Sequence, residues 1–128
     1  MSSFTSELLV TPMPDGKYWR LEKEFEYRIG SLDSNQFVIV PKGFITDFAS
    51  IPKFLWFLPC WAKFNKAPIL HDYLYRTRRI MGDKITRKRA DDIFLEAMLV
   101  EWRYRRSRHS VAWIEYLAVR ILGWQTWR

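Results

Sequence analysis

Lys66-Ala67-Pro68-Ile69-Leu70-His71-Asp72-Tyr73-Leu74-Tyr75-Arg76 reads as the opening of a helix. Pro68 suits the first turn, where its missing N–H is no loss. Ile69, Leu70, Tyr73 and Leu74 place apolar side chains at helical spacing. Into that pattern the chain puts a histidine and a carboxylate side by side. Neighbouring helical positions point about 100° apart, so His71 and Asp72 do not pair with each other. They address two walls of one cleft, His71 on the side of Leu74 and Tyr75, Asp72 on the side of Tyr75 and Arg76.

Around this stretch lie 128 residues, enough for one domain with a modest core. Hydrophobic residues make up 48%, which favours a folded chain over a disordered one. Aromatics reach 17%, with seven Trp, which implies an aromatic core or contact surface. A formal charge of +7 suits an anionic partner: nucleic acid, lipid head groups or an acidic protein. Cys60 is the one cysteine, so no disulfide closes within the chain. The N-terminus lacks the charged and apolar blocks of a signal peptide. No stretch reaches the roughly 18 apolar residues of a membrane span, so a cytoplasmic site of synthesis and no transmembrane segment are expected.

Upstream, residues 1–16 read as an extended arm ending in the turn Pro14-Asp15-Gly16. Residues 17–52 read as a hairpin and a loop. Its first strand is Tyr18–Tyr27, with Trp19, Leu21, Phe25 and Tyr27 in phase and Lys23 breaking the series; the second is Gln36–Val40, stopped by Pro41. The loop Pro41–Pro52 carries Thr46, Asp47 and Ser50, which suit either a capping turn or a binding loop. Residues 53–128 form the helical part. Phe54–Trp61 is apolar throughout, either core or a patch for a partner. The His71 helix is expected to run to about Arg79, with Gly82-Asp83 as its breaker. Thr86 then caps a helix from Arg87 to about Arg103, with an apolar stripe of Ala90, Ile93, Phe94, Ala97 and Met98 and with Asp91 at its edge. Ser107 or Ser110 caps a last helix to about Leu122, striped by Trp113, Leu117, Ile121 and Trp124. The expected class is α+β: an N-terminal hairpin followed by three helices.

Helices joined by a short connection pack antiparallel, which brings Asp91 towards His71. A carboxylate behind a histidine holds one tautomer, and the histidine can then take a proton from water. Asp72 is placed to hold a cation. Asp47 and carbonyls near Phe48 and Ala49 can complete an oxygen shell, which points to Ca²⁺; zinc has no ligand-spaced cluster here. Taken as a dipeptide alone, His71-Asp72 reads as a core histidine and a salt bridge to Arg76 or Arg79. A phosphohydrolase His-Asp site needs upstream histidines, and none precedes His71. A Cys60–His71 nucleophile pair is disfavoured by the Trp-flanked apolar run around Cys60, which opposes a thiolate.

The pattern Pro41-x-Gly43-Phe44-x-Thr46-Asp47-x-Ala49-Ser50-x-Pro52, then Leu70-His71-Asp72-x-Leu74-Tyr75, then Arg89-Ala90-Asp91-x-Ile93-Phe94-x-x-Ala97-Met98, resembles a bacteriophage and prophage family known as domain of unknown function 1353. The resemblance covers roughly residues 18 to 125. His71-Asp72-x-x-Tyr75-Arg76 with Arg89-x-Asp91-x-x-Phe94 is also similar to the small secreted phospholipases A₂, above all their bacterial and fungal branch. That similarity implies His71 as general base, Asp91 as the acid that orients it, Asp72 as a calcium ligand and Asp47 as a loop ligand. It implies Tyr75 as a buttress of Asp91 or of the metal site. The disulfides typical of those enzymes cannot form here.

Basic residues gather at Arg76, Arg78, Arg79, Lys84 and Arg87–Arg89, and again at Arg103–Arg108. They read as solvated helix ends suited to the helix dipole, or as a rim for anionic lipid in which Arg76, Arg79, Arg89 and Trp56 face the substrate. Three functions are therefore expected in order. The first is a phage-encoded, Ca²⁺-dependent ester hydrolase acting on phospholipid, made in the host cytoplasm and carried in the virion. The second is a non-catalytic tail or baseplate component that kept the fold and contacts other phage structural proteins. Nucleic-acid binding comes third.

Overall fold

The computed structural model describes residues 3–4, 8–16, 18–30, 35–46, 65–102 and 108–123. Antiparallel strands come first and three helices follow among these residues, an α+β arrangement. The strands are β1 (Ser3–Phe4), β2 (Val10–Pro12), β3 (Trp19–Leu21), β4 (Phe25–Arg28), β5 (Phe37–Val40) and β6 (Ile45–Thr46). They form two three-stranded sheets, ordered β1-β4-β5 and β2-β3-β6. After α1 (Lys66–Thr77) comes a small hairpin, β7 (Arg79–Ile80) and β8 (Asp83–Lys84), then α2 (Arg87–Glu101) and α3 (Arg108–Leu122).

The expected strand over Tyr18–Tyr27 is two strands in two sheets. Trp19–Leu21 pairs with β2 and β6, while Phe25–Arg28 pairs with β1 and β5. The chain changes sheets at Glu22–Glu24, where Lys23 had interrupted the alternation. The described part of the arm is also more than a lead-in, because β1 and β2 each supply one edge of a sheet. The β4–β5 hairpin forms as read, with Phe25 opposite Val40 and Tyr27 opposite Val38. All four side chains are buried, as alternation on a one-sided sheet requires. Phe4 closes over them, its ring 4.7 Å from that of Tyr27.

Helix α1 stops at Thr77, earlier than expected. Arg78 adopts a left-handed φ of 57° and its N–H bonds to the Leu74 carbonyl, a C-terminal cap made without glycine. Arg79–Lys84 then folds into a hairpin through Met81 (φ 51°) and Gly82 (φ 87°). Positive φ at both central positions is what a type I′ turn demands; the segment read as a helix breaker is thus a strand pair. Thr86 caps α2 as expected, its Oγ1 accepting from the Arg89 N–H at 3.1 Å. That helix ends at Glu101. The third helix begins at Arg108, so Ser110 lies inside it and not at its cap; Ser107 lies outside the described residues.

The core joins both layers. Leu21, Phe25, Tyr27 and Val40 from the sheets meet Ile69, Leu70 and Leu74 of α1 and Ile93, Phe94 and Met98 of α2. Polar pins fix the register. Glu96 of α2 accepts from the Tyr27 hydroxyl at 2.6 Å and the Gly30 N–H at 3.0 Å. Glu101 accepts from the Lys66 and Ala67 N–H groups at 3.0 and 2.8 Å. These amides belong to the first turn of α1 and have no partner within their own helix. Glu101 therefore caps α1 from the far end of α2, beside Asn65, whose side chain also accepts from Lys66. Contacts that begin at Glu101 with Lys66 and end at Asp91 with Tyr75 run in opposite directions along the two helices, so α1 and α2 are antiparallel.

Glu115 faces inward on α3 and is 4% exposed; its Oε2 has no hydrogen-bond partner among the described residues. Burial pushes this carboxyl up to about 8. Between its ordinary 4.5 and that value the folded chain keeps a proton that the unfolded chain has lost. Stability therefore falls as pH rises across that window. Glu115→Gln should match the wild type near pH 4.5 and exceed it by a few kcal/mol at pH 8. Urea unfolding at the two pH values measures this, and a pH-independent difference would contradict it.

Candidate functional site

The site is built on the antiparallel contact of α1 and α2. His71 on α1 and Asp91 on α2 are both buried, at 3% and 0% exposure. His71 Nε2 lies 2.8 Å from Asp91 Oδ1. The same oxygen accepts from the Tyr75 hydroxyl at 2.6 Å. Tyr75 follows His71 by one helical turn, so the two donors stack on one face of α1. Their rings lie 4.2 Å apart, and Phe94 stacks on the other face of the imidazole at 4.3 Å and 25°. The ring is thus fixed on both faces and at one nitrogen.

The other carboxylate oxygen, Oδ2, receives Arg120 Nη1 from α3 at 2.8 Å. Arg87 stands 3.6 Å from it, one turn earlier on α2. Arg87 also donates to the carbonyls of Val119 and Arg120 at 3.0 and 3.2 Å, tying down the end of α3. Asp91, at the edge of the buried apolar stripe as read, is therefore the meeting point of three helices. Burial works against its charge, but hydrogen bonds from His71 and Tyr75, the imidazole's charge and Arg120 outweigh it and hold the carboxyl below its ordinary value. For Tyr75, burial first and the bond to Asp91 second raise the phenol, so it stays a donor.

An ionised Asp91 accepts, so the hydrogen on the 2.8 Å contact sits on Nε2 of His71. In a neutral imidazole the other nitrogen then carries the lone pair. Nδ1 makes no hydrogen bond with the described residues. A histidine held in one tautomer with one basic nitrogen over is the arrangement from which a proton can be drawn out of water.

Asp72 points elsewhere. Its Oδ2 accepts from the Thr46 hydroxyl at 2.9 Å, and Arg76 Nε lies 3.3 Å from its Oδ1. Thr46 is fully buried at the end of β6, whose pairing with β3 carries it to α1. The guanidinium of Arg76 lies 5.1 Å over the Phe44 ring. A calcium ion takes six to eight oxygens. Among the described residues no group of three or more His, Cys, Asp and Glu side chains is arranged to hold a metal, and Asp72 already has a cation beside it. Asp47 and Trp56 lie outside the described residues, as do Phe48 and Ala49.

The basic residues expected at a lipid rim come from three elements, Arg76 from α1, Arg79 from β7 and Arg89 from α2. Arg76 is exposed beside Asp72. Arg79 bonds the Gly82 carbonyl at the tip of the β7–β8 hairpin. Arg89 lines an open hollow of about 360 Å³ with Gln36, Ile80 and Lys84, and none of its lining residues belongs to the His71–Asp91 cluster. Arg87 and Arg120, which do reach the cluster, were missed by the sequence reading. For Arg87 a signal existed, the i,i+4 spacing to Asp91. For Arg120 there was none, since the contact joins positions 29 residues apart. Among the described residues no helix is long and apolar enough to cross a membrane.

A family model described as protein of unknown function (DUF1353) matches residues 19–119. No curated protein and no solved structure matches the chain.

Asp91→Asn would turn an amide nitrogen towards either Arg120 or the His71–Tyr75 pair and leave buried donors unpaired. We expect a loss of about 3–5 kcal/mol at pH 7. Because the Asp91 carboxyl sits below its ordinary 3.8, its contribution is full above that value and is lost as pH falls through the lower, folded one. Denaturant unfolding should show the gap between wild type and Asp91→Asn closing as the solution is acidified below pH 3.8.

Proposed function

The chain belongs to the family described as protein of unknown function (DUF1353), and for this member we propose hydrolysis of carboxylic esters, with phospholipid as the substrate class, by water that His71 activates. One observation carries the reading. The buried Asp91 takes the Nε2 hydrogen of His71 at 2.8 Å and leaves Nδ1 as the basic nitrogen. Tyr75 and Arg120 support it by holding Asp91 from two further directions.

In this mechanism water gives a proton to Nδ1 as its oxygen adds to the ester carbonyl carbon. Asp91 stabilises the imidazolium that forms and keeps the ring from turning. The tetrahedral intermediate collapses with loss of the alcohol, and His71 returns the proton to that leaving oxygen. Phe94 and Tyr75 keep solvent from the faces of the ring. Asp72, with Asp47 and carbonyls near Phe48 and Ala49, would hold Ca²⁺, which when bound polarises the ester carbonyl. No step assigned to His71 or Asp91 depends on that ion. Arg76, Arg79, Arg89 and Trp56 would meet anionic lipid. A phage origin and a place in the virion belong to the same proposal.

A second reading, a non-catalytic tail or baseplate component, is favoured by the apolar side chains that α3 leaves exposed. A buried, mutually satisfied cluster also serves a fold that has no chemistry to perform.

The test is fatty-acid release from phosphatidylglycerol vesicles and from a soluble short-chain ester. Wild type should turn over, and His71→Asn should fall by about 10²-fold or more with its circular dichroism unchanged. Titration calorimetry should show Ca²⁺ binding that Asp72→Asn removes. Turnover that survives a chelator would retain the dyad and remove calcium. A folded wild type inactive on both substrates, with and without Ca²⁺, would overturn the hydrolase in favour of the structural reading.

A further inference from the structure

Four of the five glycines, Gly16, Gly30, Gly43 and Gly82, have positive φ, and a side chain there would meet nothing within 4 Å. They serve the conformation of turns. Gly123, directly after α3, is of another kind. Its φ lies outside the left-handed region, so it is not the usual glycine cap of a helix end. What it lacks is room. A Cβ placed there would fall far inside contact distance of the Tyr75 hydroxyl and the Val119 carbonyl, and would lie 3.2 Å from Arg87 Nη1.

Each of those atoms is already engaged. The Tyr75 hydroxyl donates to Asp91 Oδ1 at 2.6 Å, and its ring lies 4.2 Å from that of His71. The Val119 carbonyl accepts from the Gly123 N–H at 2.8 Å and from Arg87 Nη1 at 3.0 Å. Arg87 also holds the Arg120 carbonyl, and Arg120 reaches Asp91 Oδ2 at 2.8 Å. A methyl group at position 123 therefore has two ways in. Either the phenol moves, which takes a donor from Oδ1 and pushes on the imidazole, or the last turn of α3 lifts, which withdraws Arg120 from Oδ2.

We propose that Gly123 is a positioning residue for His71. Its missing side chain lets the end of α3 close on Tyr75 and Arg87, so that both oxygens of Asp91 keep their donors and the imidazole keeps one tautomer. As a contribution to ester hydrolysis this rests on the base role given to His71 above; as a constraint on the ring it does not. Gly123 acts through Tyr75, Arg87 and Arg120 on Asp91, and through Asp91 on the imidazole. A glycine needed only for close packing would lower stability when filled. A positioning glycine changes the state of the imidazole as well.

Nitrogen NMR of the two histidine rings reads that state, with His71→Asn assigning the signals. Neutral His71 in the wild type should carry its proton on Nε2 alone. Gly123→Ala should stay folded and move both ring nitrogens towards the average of the two tautomers. On the soluble short-chain ester its kcat should fall about tenfold or more, with KM changed by less than about twofold. In the Tyr75→Phe background, where the hydroxyl is gone, the same substitution should lower the unfolding midpoint by clearly less than in the wild type. A folded Gly123→Ala chain with the wild-type His71 spectrum would overturn the proposal. So would equal losses of midpoint in the two backgrounds, or a failure of Gly123→Ala to fold that Tyr75→Phe does not relieve. A wild type that cleaves no ester, but whose single tautomer is lost in Gly123→Ala, would keep the constraint on the ring and remove only the hydrolase.

Discussion

A single buried carboxylate decides how the helices of this protein sit. Asp91 is completely withdrawn from solvent, and an ion in that position is tolerated only when its oxygens are answered. One oxygen is met by His71 and Tyr75 of α1, the other by Arg120 of α3 with Arg87 nearby. Each donor comes from a defined helical turn. The requirement therefore sets the axial register of α1 against α2 and of α3 against both. Hydrophobic burial supplies the larger free energy, but Ile93, Phe94 and Met98 would tolerate small slips that Asp91 does not.

The same logic recurs at the other polar pins. Glu101 meets the open amides of α1, and Glu96 meets a sheet hydroxyl and a turn amide. These are three acids on one helix at positions 91, 96 and 101, each turned to a different neighbour. Between them α2 is the frame against which α1, α3 and the β1-β4-β5 sheet are placed. Glu115 is the exception. Its buried Oε2 has no hydrogen-bond partner among the described residues.

Much of this was legible from local chemistry. Thr86 before a helical pattern, Val38 and Val40 in an alternating strand, and the approach of Asp91 to His71 across a short connection all follow from rules that operate within one or two elements. What escaped the reading was set by tertiary partners. Two strands in phase look like one when nothing local says that they join different sheets; Lys23 was the only mark of the break. Arg78 ends α1 in a left-handed conformation that glycine ordinarily supplies, so the end was read late. Met81-Gly82 lacked the Asn or Asp that advertises a type I′ turn. Arg120 and Glu101 act over long sequence separations, where no periodicity reports them. Of the proposed site, the helix pair could be read. The calcium ligands depend on Asp47, which lies outside the described residues.

The hydrogen bonding of His71 is asymmetric, with Nε2 on Asp91 and Nδ1 bonding no described residue. A histidine kept for packing alone, between Tyr75 and Phe94, gains nothing from a basic nitrogen that bonds no described residue; desolvating such a group costs free energy. The Asp91 side of the ring is firmly fixed, with three donors hydrogen-bonded to one carboxylate and Arg87 3.6 Å away, while Nδ1 bonds no described residue. Preorganisation of that kind is what general-base chemistry requires, since the proton must have one destination and the ring one orientation. It also explains why an arginine from α3 is used. Arg120 takes Oδ2 and thereby leaves Oδ1 to the imidazole and the phenol, so the helix that leaves apolar side chains exposed also holds the carboxylate in place.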